Sequence, residues 1–396
     1  MKLDWIRPLL GRKAPFTTVS IDVTREGGRA DREVEERWRS LHRSLQEAGT
    51  PTSLLTELDE ALGRPVRRLG ARGRVIVATD DEGILVDRLV RVAPVTSTAV
   101  RGPVPELLLA SLYGDENVDH VVVLVDRSGA DIVREGWGAA DVAWHATVEG
   151  SHDEIENVRA GGTSEGRIEN RAIDSWERNA EEVAAALDGL VTRDAPEAIV
   201  ISGDKRAVSL VESALGQRAR ALTVVVPGGS RNPGAKEDTF QQQVEEALEA
   251  CRAHRRDRVL ERFEEHHGKG GRAVSSLADV VDVLRKGQVE ELIVSEDVAQ
   301  QTVVTGSVWV GDDPFEIAVS RGELEDLGIE NLRELPASVA LLRSAIAQDA
   351  GLTFAPAERA PLEGVGALLR WHDETTPREG LASLSRPTAP KAGAPA

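Results

Sequence analysis

The residues best suited to chemistry sit near the middle of the chain. The segment 157–167 (NVRAGGTSEGR) is polar and glycine-rich, and it lies between an apolar strand-like run and a charged helix. Gly161 and Gly162 open backbone conformations closed to other residues and let another backbone come close. Thr163 then offers a hydroxyl and a backbone N–H on a side chain stiffened by branching at Cβ. Arg159 precedes the glycines, and Arg167, Arg171 and Arg178 follow them. At about 100° per residue these last three fall within roughly 40° of one another on a helix. One arginine face beside a pliable loop suits phosphate binding. Glu165, Glu169, Glu177, Glu181 and Glu182 compete for the same arginines along the helix.

Other candidate groups carry less chemistry. Arg64, Arg67, Arg68, Arg72 and Arg74 form a run with no acid between them. A second run, Arg252 to Arg272, is interrupted by Asp257, Glu261, Glu264 and Glu265. Each reads either as an ion-paired surface or as phosphate contact. His152, Asp153, Glu154 and Glu156 match no compact ligand spacing and read as an acidic edge. His266 and His267 read as a solvated helix end. Asp126 and Asp204 follow strand ends, where ribonuclease-H-type enzymes place metal-binding acids, but two isolated acids make no metal site. There is no P-loop and no Rossmann fingerprint, so no cofactor and no metal are expected. The single cysteine, Cys251, excludes an internal disulfide and a multi-cysteine zinc site.

These groups need elements to position them. A chain of 396 residues suggests two or three domains. Its composition, 41% hydrophobic and 29% charged, is that of a globular protein. The net charge of −19 argues against a generic nucleic-acid binder but leaves room for local basic patches. No run approaches the ~18 apolar residues of a membrane helix. Lys2, Arg7, Arg12 and Lys13 are not followed by the apolar run of a signal peptide, and a cytoplasmic location is expected. Strands are expected at 16–23, 74–79, 83–90, 120–125, 130–133, 198–201, 221–226, 289–295, 352–355 and 364–371. Helices are expected at 31–48, 103–111, 168–190, 205–215, 239–267, 276–286 and 335–350, with Ser275 or Ser276 capping the sixth. The alternation implies α/β sheets. The breaker cluster at 227–234 (PGGSRNPG) reads as a domain boundary.

Four segments, taken in order with the Gly-Gly loop, resemble the archaeo-eukaryotic peptide chain release factor and Pelota superfamily in its bacterial branch. VVVLVDRSGADIV at 121–133 is similar to the opening hairpin of that superfamily's central domain, and AIVISGDKRAV at 198–208 to its later strand and turn. SSLADVVDVLRKGQVEELIVSED at 275–297 is similar to the helix–strand opening of its C-terminal domain, and GVGALLRW at 364–371 to the closing strand. Residues 116–375 carry the resemblance. Residues 1–115 share position more than motif. Within the branch the chain is most similar to actinobacterial relatives of the ribosome hibernation factor Balon.

The resemblance implies a three-domain α/β (α+β multi-domain) architecture. Residues 1–115 would be an N-terminal α+β domain and 116–234 a ribonuclease-H-like central domain bearing loop 157–167. Residues 235–374 would be an α/β domain like the kink-turn-binding ribosomal proteins, and 375–396 a disordered tail. The implied partner is the 70S ribosome, entered at the A site by a tRNA-shaped monomer, with elongation factor Tu as the accompanying GTPase and no membrane contact. Arg159, Gly161, Gly162, Thr163, Arg167 and Arg171 would then meet rRNA at the peptidyl-transferase centre. The Arg64–Arg74 run would face the decoding region. The chain departs from release factors at decisive places. Thr163 stands where their Gly-Gly-Gln loop has glutamine, and their Asn-Ile-Lys-Ser and cysteine-containing stop-codon motifs are absent. The expectation is docking without peptide release, in hibernation or stress. The alternative is a rescue enzyme acting on peptidyl-tRNA or tRNA through Thr163, Ser164 and Arg167.

Overall fold

The computed structural model describes residues 2–24, 30–64, 72–90, 93–106, 111, 118–134, 144–149, 165–231, 237–267, 271–297 and 306–377. Side chains at 30–31, 144, 165–174 and 237–238 lie outside this description. The described residues form four sheets within a mixed α/β architecture.

Strands β1 (Phe16–Asp22), β2 (Gly73–Thr79), β3 (Gly83–Val90) and β4 (Thr98–Gly102) make an antiparallel sheet in the order β3-β2-β1-β4. Every residue of β2 is buried, because both sheet faces are covered. Ile76 and Ala78 face helices α1 (Ala30–Glu47) and α2 (Thr52–Gly63), packing with Leu54 and Leu58. Val75 and Val77 point the other way. They join a cluster with Leu3, Ile6 and Leu9 of the short 3₁₀ helix Asp4–Leu9 and with residues beyond 270. Of the helix expected at 103–111, residues 103–106 are not helical, since Pro105 disfavours a helical Val104 and the Glu106 amide donates to Thr18 Oγ1 at 3.2 Å, Ser111 is helical, and 107–110 lie outside the described residues.

The central sheet contains β5 (His120–Val125), β6 (Gly129–Arg134), β7 (Trp144–Glu149), β8 (Ala198–Gly203) and β9 (Thr223–Val225), in the order β7-β6-β5-β8-β9. β5, β6 and β7 are antiparallel, and β8 and β9 run parallel to β5. One face packs on α3 (Glu165–Asp194), α4 (Lys205–Ala214) and α5 (Gln217–Leu222). The strand expected at 221–226 is therefore shorter than its apolar pattern suggests. The preceding residues wind into α5, with the Gly216 amide held by Asp188 and Arg220 donating to the carbonyls of Glu212, Ser213 and Leu215. The opposite face packs on Phe240, Val244 and Leu248 of α6 (Glu237–His266).

Helix α6 then continues onto another sheet. Its Leu260 and Phe263 pack against β10 (Ala273–Ser275), β11 (Val289–Ser295), β15 (Gly351–Ala355) and β16 (Val365–Leu369), ordered β10-β16-β11-β15. Helices α7 (Leu277–Arg285) and α9 (Ala337–Ala347) cover the other face. Ser276 caps α7, its Oγ accepting from the Asp279 amide at 3.3 Å. A small sheet of β12 (Ser307–Val310), β13 (Ile317–Ala318) and β14 (Arg333–Pro336), with helix α8 (Arg321–Asp326), completes the unit. The division expected between 234 and 235 thus falls just before a helix shared by two cores. Thr375 and Thr376, placed in the expected tail, are tied to the C-terminal unit, Lys286 Nζ donating to the Thr375 carbonyl and Gln288 to Thr376 Oγ1, and the tail from 378 lies outside the described residues. No helix among the described residues is long and apolar enough to cross a membrane.

Ile6 is fully buried where the N-terminal sheet meets the C-terminal unit. Ile6→Ala should cost about 2–4 kcal/mol, the usual range for a truncated core aliphatic. The same change at Val95, which is 99% exposed, should leave the calorimetric melting temperature unchanged.

Candidate nucleic-acid interface

The site is built at one end of the central sheet, where β5 and β8 finish and β6 begins. The chain reverses between β5 and β6 through Asp126, whose Oδ1 accepts from Ser128 N at 2.8 Å, Ser128 Oγ at 2.6 Å and Gly129 N at 3.0 Å. Arg231, just past β9, donates to the same oxygen at 2.8 Å and to Asp131 on β6 at 3.1 Å. At the end of β8, Gly203 has φ +139°, and a Cβ there would collide with the Val125 carbonyl oxygen. That close approach requires glycine. Asp204 follows and caps α4, accepting from the amides of Arg206 at 3.0 Å and Ala207 at 3.2 Å.

The two acids at the strand ends therefore have structural duties. Asp126 fastens a turn to Arg231, and Asp204 caps a helix. Burial pushes the Asp126 carboxyl up, but hydrogen bonds from Ser128 and Arg231 outweigh it and hold the group below the ordinary carboxylate value. Asp131 follows the same pattern, burial being outweighed by Arg231 and Thr147. Among the described residues, no group of three or more His, Cys, Asp or Glu side chains is arranged to hold a metal ion.

Helix α3 supplies the reach. Asn179, 3% exposed, donates to the Arg127 carbonyl at 3.0 Å and so fixes one point of the helix at this sheet end. Ala180, Val183, Ala184, Leu187, Leu190 and Val191 then pack on the sheet. At the opposite end of the sheet, Asp194 meets Arg134, the last residue of β6, at 3.7 Å. Residues 179–194 thus span the full sheet. The fourteen residues from Glu165 to Arg178 run past its end, which at 1.5 Å per residue is about 20 Å of projecting helix. Strand β7 finishes at Glu149, paired with Gly129, at this same end. In sequence, residues 150–164, which include Gly161 and Gly162, lie between Glu149 and Glu165.

Arg159, Gly161, Gly162 and Thr163 lie outside the described residues, as does the His152–Glu156 cluster. Arg167 and Arg171 lie on the projecting backbone, with side chains outside the description, and Arg178 is exposed on the same helix. The N-terminal arginine run comes apart. Arg64 is exposed, and Arg67 and Arg68 lie outside the described residues. Arg72 is buried, with its guanidinium 3.4 Å from Glu245. Arg74 is 2% exposed and donates to both Asp87 oxygens, at 2.7 and 2.6 Å, and to the Ala61 carbonyl at 2.8 Å. Arg72 and Arg74 are therefore no phosphate contacts, because they flank and enter a strand covered on both faces. The second basic run is largely ion-paired, Arg255 to Glu197, Arg256 to Glu296 and Arg262 to Glu290.

One group was invisible in the sequence. Trp176, at the base of the projecting helix, has the guanidinium carbon of Arg127 at 4.5 Å and that of Arg206 at 5.1 Å from its ring centre. The three residues come from a turn and two helices, and no linear spacing connects them.

Because Asp126 and Asp131 sit below their ordinary pKa, the stabilisation from Arg231 is fully present above about pH 4 and is lost as pH falls through the depressed folded values. Arg231→Met should therefore lower the melting temperature at pH 7, and the gap from the unaltered protein should close toward pH 2.5. A gap independent of pH would show that the ion pairs contribute nothing.

Residues 119–269 match the model of bacterial archaeo-eukaryotic release factor family 2. Two uncharacterized Mycobacterium tuberculosis proteins, MT2704 of strain CDC 1551 and Rv2629 of strain H37Rv, are each 28% identical over 374 residues, covering 94% of this chain and 97% of theirs. Among solved structures, Saccharomyces cerevisiae Dom34, described as a translation termination-like factor, is similar at 10% identity and a TM-score of 0.39, covering 77% of this chain and 81% of that one. Archaeoglobus fulgidus Pelota is similar at 16% identity and a TM-score of 0.34, covering 76% and 80%. The sheet and helices that carry the site lie within residues 119–269, the segment that is similar to bacterial archaeo-eukaryotic release factor family 2.

Proposed function

We propose that the chain is a ribosome-binding translation factor that occupies the A site of idle or stalled 70S ribosomes, shielding the decoding and peptidyl-transferase centres without releasing peptide. The observation that carries this reading is the projecting helix α3. In a release-factor-type domain this stem, which bears Arg167, Arg171 and Arg178 and directly follows the Gly-Gly segment in sequence, runs about 20 Å beyond the sheet. A stem of that length suits a passage lined by phosphates, which arginine recognises with two parallel hydrogen bonds.

Thr163 supports occupancy over catalysis. A release reaction needs a side chain that holds water against an ester carbonyl, and threonine is shorter and stiffer than glutamine. In this reading the central sheet is the ribonuclease-H-like one, and residues 1–115 and 235–374 flank it as separate functional units. Elongation factor Tu is the GTPase partner implied by the resemblance, hibernation under stress is the setting, and the factor acts as a monomer.

Co-sedimentation with vacant 70S ribosomes, with and without elongation factor Tu, tests the reading. Binding should compete with A-site tRNA. Replacing Arg159, Arg167 and Arg171 with Ala should flatten the slope of log K against log salt by about 2–3, close to one unit per lost phosphate contact. Ribosomes loaded with peptidyl-tRNA should keep their peptide at the uncatalysed rate. Hydrolysis that disappears in Thr163→Ala would establish the rescue enzyme instead.

A further inference from the structure

We infer that Arg127, Arg206 and Trp176 form a second RNA contact, a pair of stacked guanidiniums that takes phosphate at the base of the projecting helix. This deepens the ribosome-binding reading and rests on it for the identity of the RNA.

The argument starts from the indole. Trp176 is half-buried on α3, three residues before Asn179, so its position is fixed by the same hydrogen bond that fixes the helix. Arg127 occupies the turn after β5, and Arg206 occupies the first turn of α4. Both guanidiniums lie against the ring at cation–π distance. A guanidinium stacked by its face keeps its in-plane N–H edge free, and that edge matches two phosphate oxygens. The ring also restrains two long side chains in advance, lowering the entropy cost of binding.

The charges around the pair are largely spoken for elsewhere. Arg231 takes Asp126 and Asp131. Asp204 Oδ1 accepts two amide protons at the α4 cap, and its Oδ2 pairs with Arg127 at 3.5 Å on a half-exposed edge, where a phosphate can compete for the guanidinium. Among the described residues Arg206 has no carboxylate partner, and both Arg127 and Arg206 are exposed. In a chain of net charge −19, two exposed guanidiniums gathered on one indole, only one of them with a carboxylate partner among the described residues, leave a local excess of positive charge. They sit where the helix leaves the sheet, so an RNA that surrounds the helix passes directly over them. RNA is favoured over an acidic protein segment because the donors are planar forks and because the helix beyond them carries further arginines.

The test measures 70S binding by co-sedimentation from low to moderate salt, for the unaltered chain, an Arg127→Gln/Arg206→Gln variant and an Arg127→Lys/Arg206→Lys variant. The Gln variant should bind at least tenfold more weakly, with a salt slope flatter by about 1.5, two phosphate contacts at somewhat under one unit each. The Lys variant should keep most of the slope and lose affinity, because lysine retains the charge but not the stacked fork. Equal affinity and slope in all three would overturn the second contact while leaving ribosome binding intact. If the unaltered chain fails to bind, the ribosome reading falls and takes this contact with it. Both arginines are exposed, so melting temperatures should match across the set. A Gln variant that loses affinity with an unchanged slope would show a structural role and also overturn the proposal.

Discussion

Helix α3 is longer than the sheet beneath it, and that mismatch governs the rest of the structure. The helix has thirty residues, while the strands it covers have six. Six residues of strand extend about 20 Å, and thirty residues of helix about 45 Å. Roughly half the helix must leave the sheet, and Asn179 decides which half. Once its amide is bonded to the Arg127 carbonyl and Asp194 meets Arg134 at the far end, the N-terminal half is the part that projects. The turn that receives Asn179 is held in turn by Asp126 and Arg231. Glycine at 203 lets the next strand end close beside it. A chain of ordinary local constraints therefore fixes the direction of one long lever.

The surrounding units brace that lever. Helix α6 gives its first half to the central sheet and its second half to the C-terminal sheet, so one rigid rod belongs to two cores. The 3₁₀ helix Asp4–Leu9 fills the space between the N-terminal sheet and α9, and Arg7 pairs with Asp349 across the same boundary. Glu245 on α6 meets Arg72 of the N-terminal unit. Shared helices and buried apolar contacts of this kind couple the units more tightly than surface charges, since exposed ion pairs contribute little.

Much of this was legible in the residues. The hairpin of β5 and β6 shows as two valine-rich runs around Asp126-Arg127-Ser128-Gly129, and the Ser276 cap shows as a serine before an apolar helical repeat. What stayed hidden depends on tertiary contact. Arg74 looks like a surface cation until α2 and β3 enclose it with Asp87. The short strands β13 and β14 are too brief to carry a period, and Ala221 and Leu222 are apolar enough to pass for the start of a strand until the Gly216 turn winds them into helix. Trp176 and its two arginines are joined only in space. The family resemblance quoted for the central segment agrees with the match over residues 119–269, while the strand and helix pattern alone indicated only an α/β sheet.

The central claim is that the projecting helix carries its Gly-Gly segment into the peptidyl-transferase centre. The most direct measurement is chemical footprinting of 23S rRNA in 70S ribosomes saturated with the protein. Protection of nucleotides at the peptidyl-transferase centre, lost when residues 157–164 are replaced by a flexible linker while the rest of the chain stays folded, is the predicted result. Saturated binding that leaves every nucleotide of that centre as reactive as in free ribosomes would contradict the account.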